Sequence, residues 1–166
     1  MRRLALALLI LALVPASASA RRVKIVPPPL PVPAPAVIFA ACPEAPDAAG
    51  CYHDPSLAMN PHTLFVAERT ARTYWHEMGH AYDTAMLDDG ERQKFSRMMS
   101  RARQSWLTPE IAGVFRESTN EMFADAYSTC KRGHRPNGPT WDAMVYQPRT
   151  DKGHAAVCRF IARAGR

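Results

Sequence analysis

Long apolar runs are missing from this 166-residue chain. The longest, Leu4 to Val14, is well short of the roughly 20 residues that cross a bilayer as a helix, which argues against a helical membrane protein. A dense basic stripe with interleaved aromatics is missing too. Lys and Arg number 21 against 15 acidic residues, a formal net charge of +6, but the excess is spread thinly, so nothing points to nucleic acid as a partner. No C-x-x-C pair exists, which removes the usual signature of a cysteine-rich zinc site. There are no internal repeats. Wholesale disorder is excluded by the balance of 22% charged and 47% hydrophobic residues, enough apolar surface to form a core.

What is present begins with a leader pattern. Met1-Arg2-Arg3 is a basic start, Leu4 to Val14 an apolar stretch too short for an anchor, and Ala18-x-Ala20 a small-residue cleavage motif. Residues 1–20 therefore read as a signal peptide, and the remainder is enough for one domain with a modest core and too little for two. Export sets the cysteine chemistry: Cys42, Cys51, Cys130 and Cys158 form an even set in an oxidising compartment and read as two disulfides. Of three connectivities the preferred one is Cys42–Cys51, closing a short Pro/Gly-rich loop, with Cys130–Cys158 tying down the C-terminal segment. Six of the fifteen prolines lie between Pro27 and Pro35. This favours extended polyproline II with no partner for its backbone, so residues 21–35 read as a linker ahead of a domain at 36–166. A ligand for a polyproline-binding module is the weaker alternative.

The domain pattern is α+β and mainly helical. Short strands are expected at Ala36–Ala41, Cys51–His53 and Thr63–Ala67. Apolar residues then recur at three- and four-residue steps from Glu68 to Leu87, indicating a helix that Asp88-Asp89-Gly90 ends. A second helix is expected over Glu91–Trp106, and a helix start at Thr108-Pro109-Glu110. Ser118-Thr-Asn-Glu121 has capping-box spacing and opens a helix to about Arg132, stopped by Gly133. Asp151–Ala164 is a last helix.

The chemistry centres on His76-Glu77-Met78-Gly79-His80. On a helix, residues four apart share a face, so His76 and His80 can bind one metal ion, Zn²⁺ being the expected one. Glu77, one step round, can serve as general base toward a water molecule whose pKa the metal lowers. A third protein ligand is required. The metzincin continuation is excluded, because its Gly and His positions hold Asp83 and Met86. Asp83 stays on the ligand stripe, as a ligand or as a structural acid behind the helix. The better candidate is Glu121, with Asp125 four residues on and placed to accept the second ring N–H of a ligand histidine. Glu117 is the runner-up.

His76-Glu-x-x-His80 followed by Asn120-Glu121-x-x-x-Asp125 resembles the gluzincins, the thermolysin-like zinc peptidases. With Phe123, Ala124, Ala126 and Tyr127, and with Gly79 and Asp83, the pattern looks most like small domains related to the catalytic domain of anthrax lethal factor. The resemblance covers roughly residues 37–131. It implies a zincin fold, with a small N-terminal sheet over the active-site helix. It also implies an edge strand, here Thr63–Ala67, that holds an extended peptide by β-pairing. The expected activity is that of a secreted zinc metallopeptidase acting on a peptide or protein substrate. A zincin-like envelope protein that binds metal or a partner without turnover is the alternative. Tyr127, His134 and Tyr146 are the candidates for stabilising an oxyanion. His53, His62 and His154 read as structural or exposed.

Overall fold

The computed structural model describes residues 24–54, 62–100, 106, 118–136 and 138–165. The signal-peptide pattern, the runner-up Glu117 and the helix start at Thr108 lie outside these residues. Among those described, the chain forms β1 (Ala36–Ile38), β2 (Gly50–His53), β3 (Thr63–Val66), α1 (Ala71–Met86), α2 (Asp89–Met98), α3 (Thr119–Arg132) and α4 (Asp151–Ile161). The fold is α+β and mainly helical, as the sequence pattern implies.

The strand order is β1-β3-β2. β3 runs parallel to β1, with Val37 opposite Leu64, and antiparallel to β2, with Cys51 opposite Phe65. All four residues of β3 are buried, as a short continuous apolar run predicts for an internal strand. This corrects one expectation. Thr63–Ala67 is no edge strand, because β1 pairs on one side of it and β2 on the other; among the described residues the edges belong to β1 and β2.

α1 starts at Ala71 rather than at its acidic lead-in, Glu68. Thr70 is its N-cap, and the Thr70 hydroxyl accepts from the Thr73 amide. At the far end Asp88 does not stop α1 but starts α2. Its carboxylate accepts from the Glu91 amide while Glu91 accepts from the Asp88 amide, a reciprocal capping box that satisfies two otherwise orphan donors. Gly90 therefore sits inside α2. Ser118, by contrast, makes no side-chain cap bond to α3; its hydroxyl pairs with Asn120. Glu121, the other half of the expected box, is drawn toward α1 instead. Gly133 ends α3 in the left-handed conformation (φ 67°) that glycine adopts without a Cβ penalty.

The core lies where α1 and α3 pack, with Leu64 and Val66 of β3 on one side and Phe95 and Ile161 on the other. Tyr82, Phe123 and Tyr127 stack through this interface, with ring centroids 5.2 to 6.3 Å apart. The Tyr82 hydroxyl binds the Ile161 and Ala164 carbonyls at 3.0 and 2.7 Å, fixing the C-terminal turn to α1. Both expected disulfides are present: Cys42–Cys51, and Cys130–Cys158 between α3 and α4. The proline-rich segment differs from expectation. Its Pro28, Pro29 and Pro33 carbonyls accept hydrogen bonds from Lys131, Tyr127 and His62, so over residues 24–35 the backbone has partners and the segment belongs to the folded unit. No described helix is long and apolar enough to cross a membrane.

Candidate metal centre

α1 and α3 approach each other closely at Gly79. A Cβ there would lie 2.7 Å from the Ala124 Cα, so glycine at that position lets the two backbones come together. Flanking this contact, α1 presents His76 one turn before Gly79 and His80 next to it, and α3 presents Glu121 one turn before Ala124 and Asp125 next to it. The helices run in opposite senses: Arg72 meets Ser128, whose hydroxyl binds its carbonyl at 3.2 Å, while His80 meets Glu121. Residues four apart on each helix therefore face their counterparts across the crossing.

His76 Nε2 lies 3.0 Å from Glu121 Oε2, and His80 Nε2 lies 3.3 Å from Glu121 Oε1. The three ligand atoms all fall within 4.8 Å of one another. Ligands about 2.0 Å from one tetrahedral zinc ion stand roughly 3.3 Å apart, so the donor set of two imidazoles and a carboxylate fits that metal in spacing and in chemistry. All three side chains are largely withdrawn from solvent.

Behind the site, His76 Nδ1 faces Asp125 Oδ1 at 3.1 Å. With that nitrogen donating to the carboxylate, Nε2 is the atom left for a metal, and the tautomer is set. Asp125 is itself held. Its second oxygen accepts from the Met144 and Val145 amides, each at 2.7 Å, and from the Tyr146 amide at 3.4 Å. Sequence reasoning missed this cradle. Backbone donors carry no residue-type signal, and the loop is distant in sequence.

The electrostatics follow from the packing. Burial works against the charged form of His76, but hydrogen bonds to Asp125 and Glu121 outweigh it and hold the imidazole up at about 10. Burial likewise opposes ionisation of Glu121 and Asp125. The facing histidines, with the loop amides at Asp125, nevertheless keep both carboxyl groups below their ordinary range. Glu77 goes the other way: burial raises it, with His80 and His76 only partly offsetting the effect. It lies on the β2 side of α1, where a Cβ on Gly50 would come 2.9 Å from Glu77 Cγ. Gly50 is a second contributor that the sequence reading passed over.

Asp83 is not drawn into this group. Its two oxygens accept from Arg92 Nε at 2.7 Å and Trp106 Nε1 at 2.8 Å, which makes it the structural acid of the two alternatives. Two of the three oxyanion candidates have their hydroxyls engaged elsewhere. Tyr127 binds the Pro29 carbonyl, and the fully buried Tyr146 pairs with His154 Nδ1 at 3.0 Å. His134 Nδ1 faces Asp142 Oδ1 at 3.5 Å. His53, His62 and His154 are structural: His53 pairs with Glu44, His62 bridges Tyr52 and Pro33, and His154 is buried beside the Cys130–Cys158 disulfide.

Two further groups have ligand-like composition: Cys42, Glu44, Cys51 and His53, and Cys130, His154 and Cys158. Their sulfurs are consumed in disulfides, so neither offers a thiolate. No family model, curated protein or solved structure matches this chain.

Proposed function

We propose that the protein is a zinc-dependent metallopeptidase of the zincin kind, working outside the cytoplasm. The observation that carries this reading is the convergence of His76, His80 and Glu121, from two separate helices, on one point beside Glu77. His76, His80 and Glu121 would hold the ion, with Asp125 fixing the His76 ring. When bound, zinc supplies a lowered pKa for water and polarises a carbonyl oxygen. Glu77 takes the proton from the attacking water and returns it to the leaving amine. Its buried position beside the ligand pair supports this role.

An extended peptide would pair with β2. β3 is internal, and β2 is the edge strand packed against α1 where Gly50 touches Glu77. The two disulfides fit an oxidising compartment and support export under the leader-like N-terminal pattern. One observation favours a second reading, a zincin-like domain that binds metal without turnover: Tyr127 and Tyr146 both spend their hydroxyls on other partners.

Elemental analysis and a peptide-library assay, with and without chelator, separate the two readings. The expected outcome is about one zinc per chain and chelator-sensitive cleavage. Glu77→Gln should retain metal and lose about 10²- to 10⁴-fold in rate. Undiminished cleavage by Glu77→Gln rules out the mechanism. Full zinc with no cleavage of any peptide favours the second reading, and full zinc in Glu121→Ala removes Glu121 from the ligand set.

A further inference from the structure

The proline-rich segment is buried with a period of three. Up to Pro31, Ile25 packs against the core, Pro28 and Pro31 are buried, and Lys24, Pro27 and Leu30 are exposed; beyond it Val32 to Ala34 are exposed and Pro35 is buried, outside the period. A polyproline II helix has three residues per turn and no internal hydrogen bonds. The inward residues Ile25, Pro28 and Pro31 are spaced as one stripe of such a helix would be, and its carbonyls would remain free to accept. Two consecutive carbonyls are taken by one face of α3: Lys131 Nζ donates to Pro28 at 2.9 Å and the Tyr127 hydroxyl to Pro29 at 2.6 Å. Tyr127 and Lys131 are four residues apart and so share that face. The Lys131 ammonium stands 5.1 Å from the centre of the Trp75 ring of α1, which orients it, and partial burial lowers its pKa. Tyr74 of α1 lies near Tyr127. Aromatic side chains with a polar tip, set to meet the carbonyls of a rigid extended helix, are the physical means by which proline-rich segments are recognised.

We propose that the face of α1 and α3 carrying Trp75, Tyr127 and Lys131 is a receptor for a polyproline II segment of the form Pro-x-x-Pro, and that its occupant is the chain's own Ile25–Pro31. Only the four residues 32–35 separate the segment from β1 at Ala36, so its effective concentration at the face is of millimolar order and the occupant is held in cis. This site is independent of the metal-centre reading: the segment's hydrogen bonds come from Tyr127 and Lys131, with Trp75 beneath the Lys131 ammonium, and none of the candidate ligands takes part.

The test uses the full chain. Pro28→Asp and Pro31→Asp place a charge on the inward stripe. Pro27→Asp and Leu30→Asp place the same charge one residue earlier, on the exposed side, and Pro27→Asp also removes a proline. Cleavage within residues 24–35 by a broad-specificity protease is expected to accelerate at least tenfold for the first pair and to stay unchanged for the second. Equal acceleration in all four overturns the periodic docking. Lys131→Ala in the otherwise unaltered chain is expected to accelerate cleavage roughly tenfold, the loss of one charge-assisted hydrogen bond; no change overturns its role. A labelled peptide of residues 24–35 is expected to bind the Pro28→Asp/Pro31→Asp double variant saturably and not the parent chain. Absence of saturable binding to the double variant overturns the receptor assignment. A melting midpoint of the parent chain that rises with protein concentration overturns occupancy in cis, in favour of exchange between two copies.

Discussion

α1 meets the helical half of the molecule backbone to backbone and the sheet half partly through side chains. On the α3 side, a methyl group at Gly79 would collide with the Ala124 Cα at 2.7 Å, and neither backbone can yield without moving its helix. On the β2 side, two of the three atoms nearest a methyl at Gly50 are side-chain carbons, Glu77 Cγ and Thr73 Cγ2, each at 2.9 Å. The difference sorts the site by task. The proposed ligands, which would have to stay within a few tenths of an ångström of an ion, come from the stiff contact. Glu77, the proposed proton carrier, faces the contact that can adjust, next to the strand edge where an extended chain would lie.

The sharpest way to break this contrast is to remove one buried acid from the helical half and one acid from the sheet half. Asp125→Ala strands three loop amides and the His76 ring N–H in a buried setting. The expected loss is on the order of 3–5 kcal/mol in urea unfolding, with metal affinity down roughly ten- to a hundredfold. Its counterpart on the sheet side, Glu44, pairs with His53 at 2.6 Å but is 61% exposed, so Glu44→Ala should cost no more than about 1 kcal/mol. Equal losses would show that the two halves hold their parts alike.

The disulfides give the next largest contrast. Cys42–Cys51 closes a separation of 9 residues and Cys130–Cys158 one of 28. Loop-closure entropy makes removal of the first worth about 2.5 kcal/mol and of the second about 3.5 kcal/mol. Paired Cys→Ala variants measured by thermal unfolding should keep that order. The helical pair also sits in the core beside His154 and Tyr146, so its removal should lower zinc retention as well, through the loop that carries the Asp125 cradle. The sheet-side pair should leave zinc retention unchanged.

Much of the candidate site's geometry was legible because the proposed chemistry needs fixed spacings. His76 and His80, Glu121 and Asp125 are each i, i+4 pairs, and a helix converts that spacing directly into a shared face. The strands at Ala36, Cys51 and Thr63 were legible from apolar runs between turn residues, and the two disulfides from loop length and position. What was hidden depends on tertiary pairing. Strand order cannot be read from strand existence, so β3 passed for an edge. The 88–90 stretch reads as a stop, yet Asp88 is an acceptor for the next helix. The proline run carries a period of three at Ile25, Pro28 and Pro31, but that period is intrinsic to polyproline II whether or not anything packs on it. Its partners, Tyr127 and Lys131, lie about a hundred residues away. The Met144–Tyr146 amides leave no mark in composition at all.

The smallest expected effect tests whether that amide loop needs outside support. Arg132, at the end of α3, holds Asp142 through two bonds of 2.6 and 2.7 Å, just ahead of the loop. The guanidinium keeps the Asp142 carboxyl below its usual range, and burial opposes it only in part. A depressed folded-state value means that the pair stabilises the protein above the ordinary carboxylate pKa near about 4 and loses that contribution as pH falls through the lower folded value. Asp142 is 38% exposed, so solvent screening holds the contribution to about 1 kcal/mol or less. Asp142→Asn should therefore melt slightly below the parent at neutral pH and together with it in acid once the parent carboxyl is protonated. Zinc retention at neutral pH should not move, because the amides bind Asp125 directly and that contact survives the substitution. A drop in zinc retention would mean that the Arg132–Asp142 pair, rather than the Asp125 carboxylate, sets the position of the loop. The stiff half would then extend past α3 to the exposed surface.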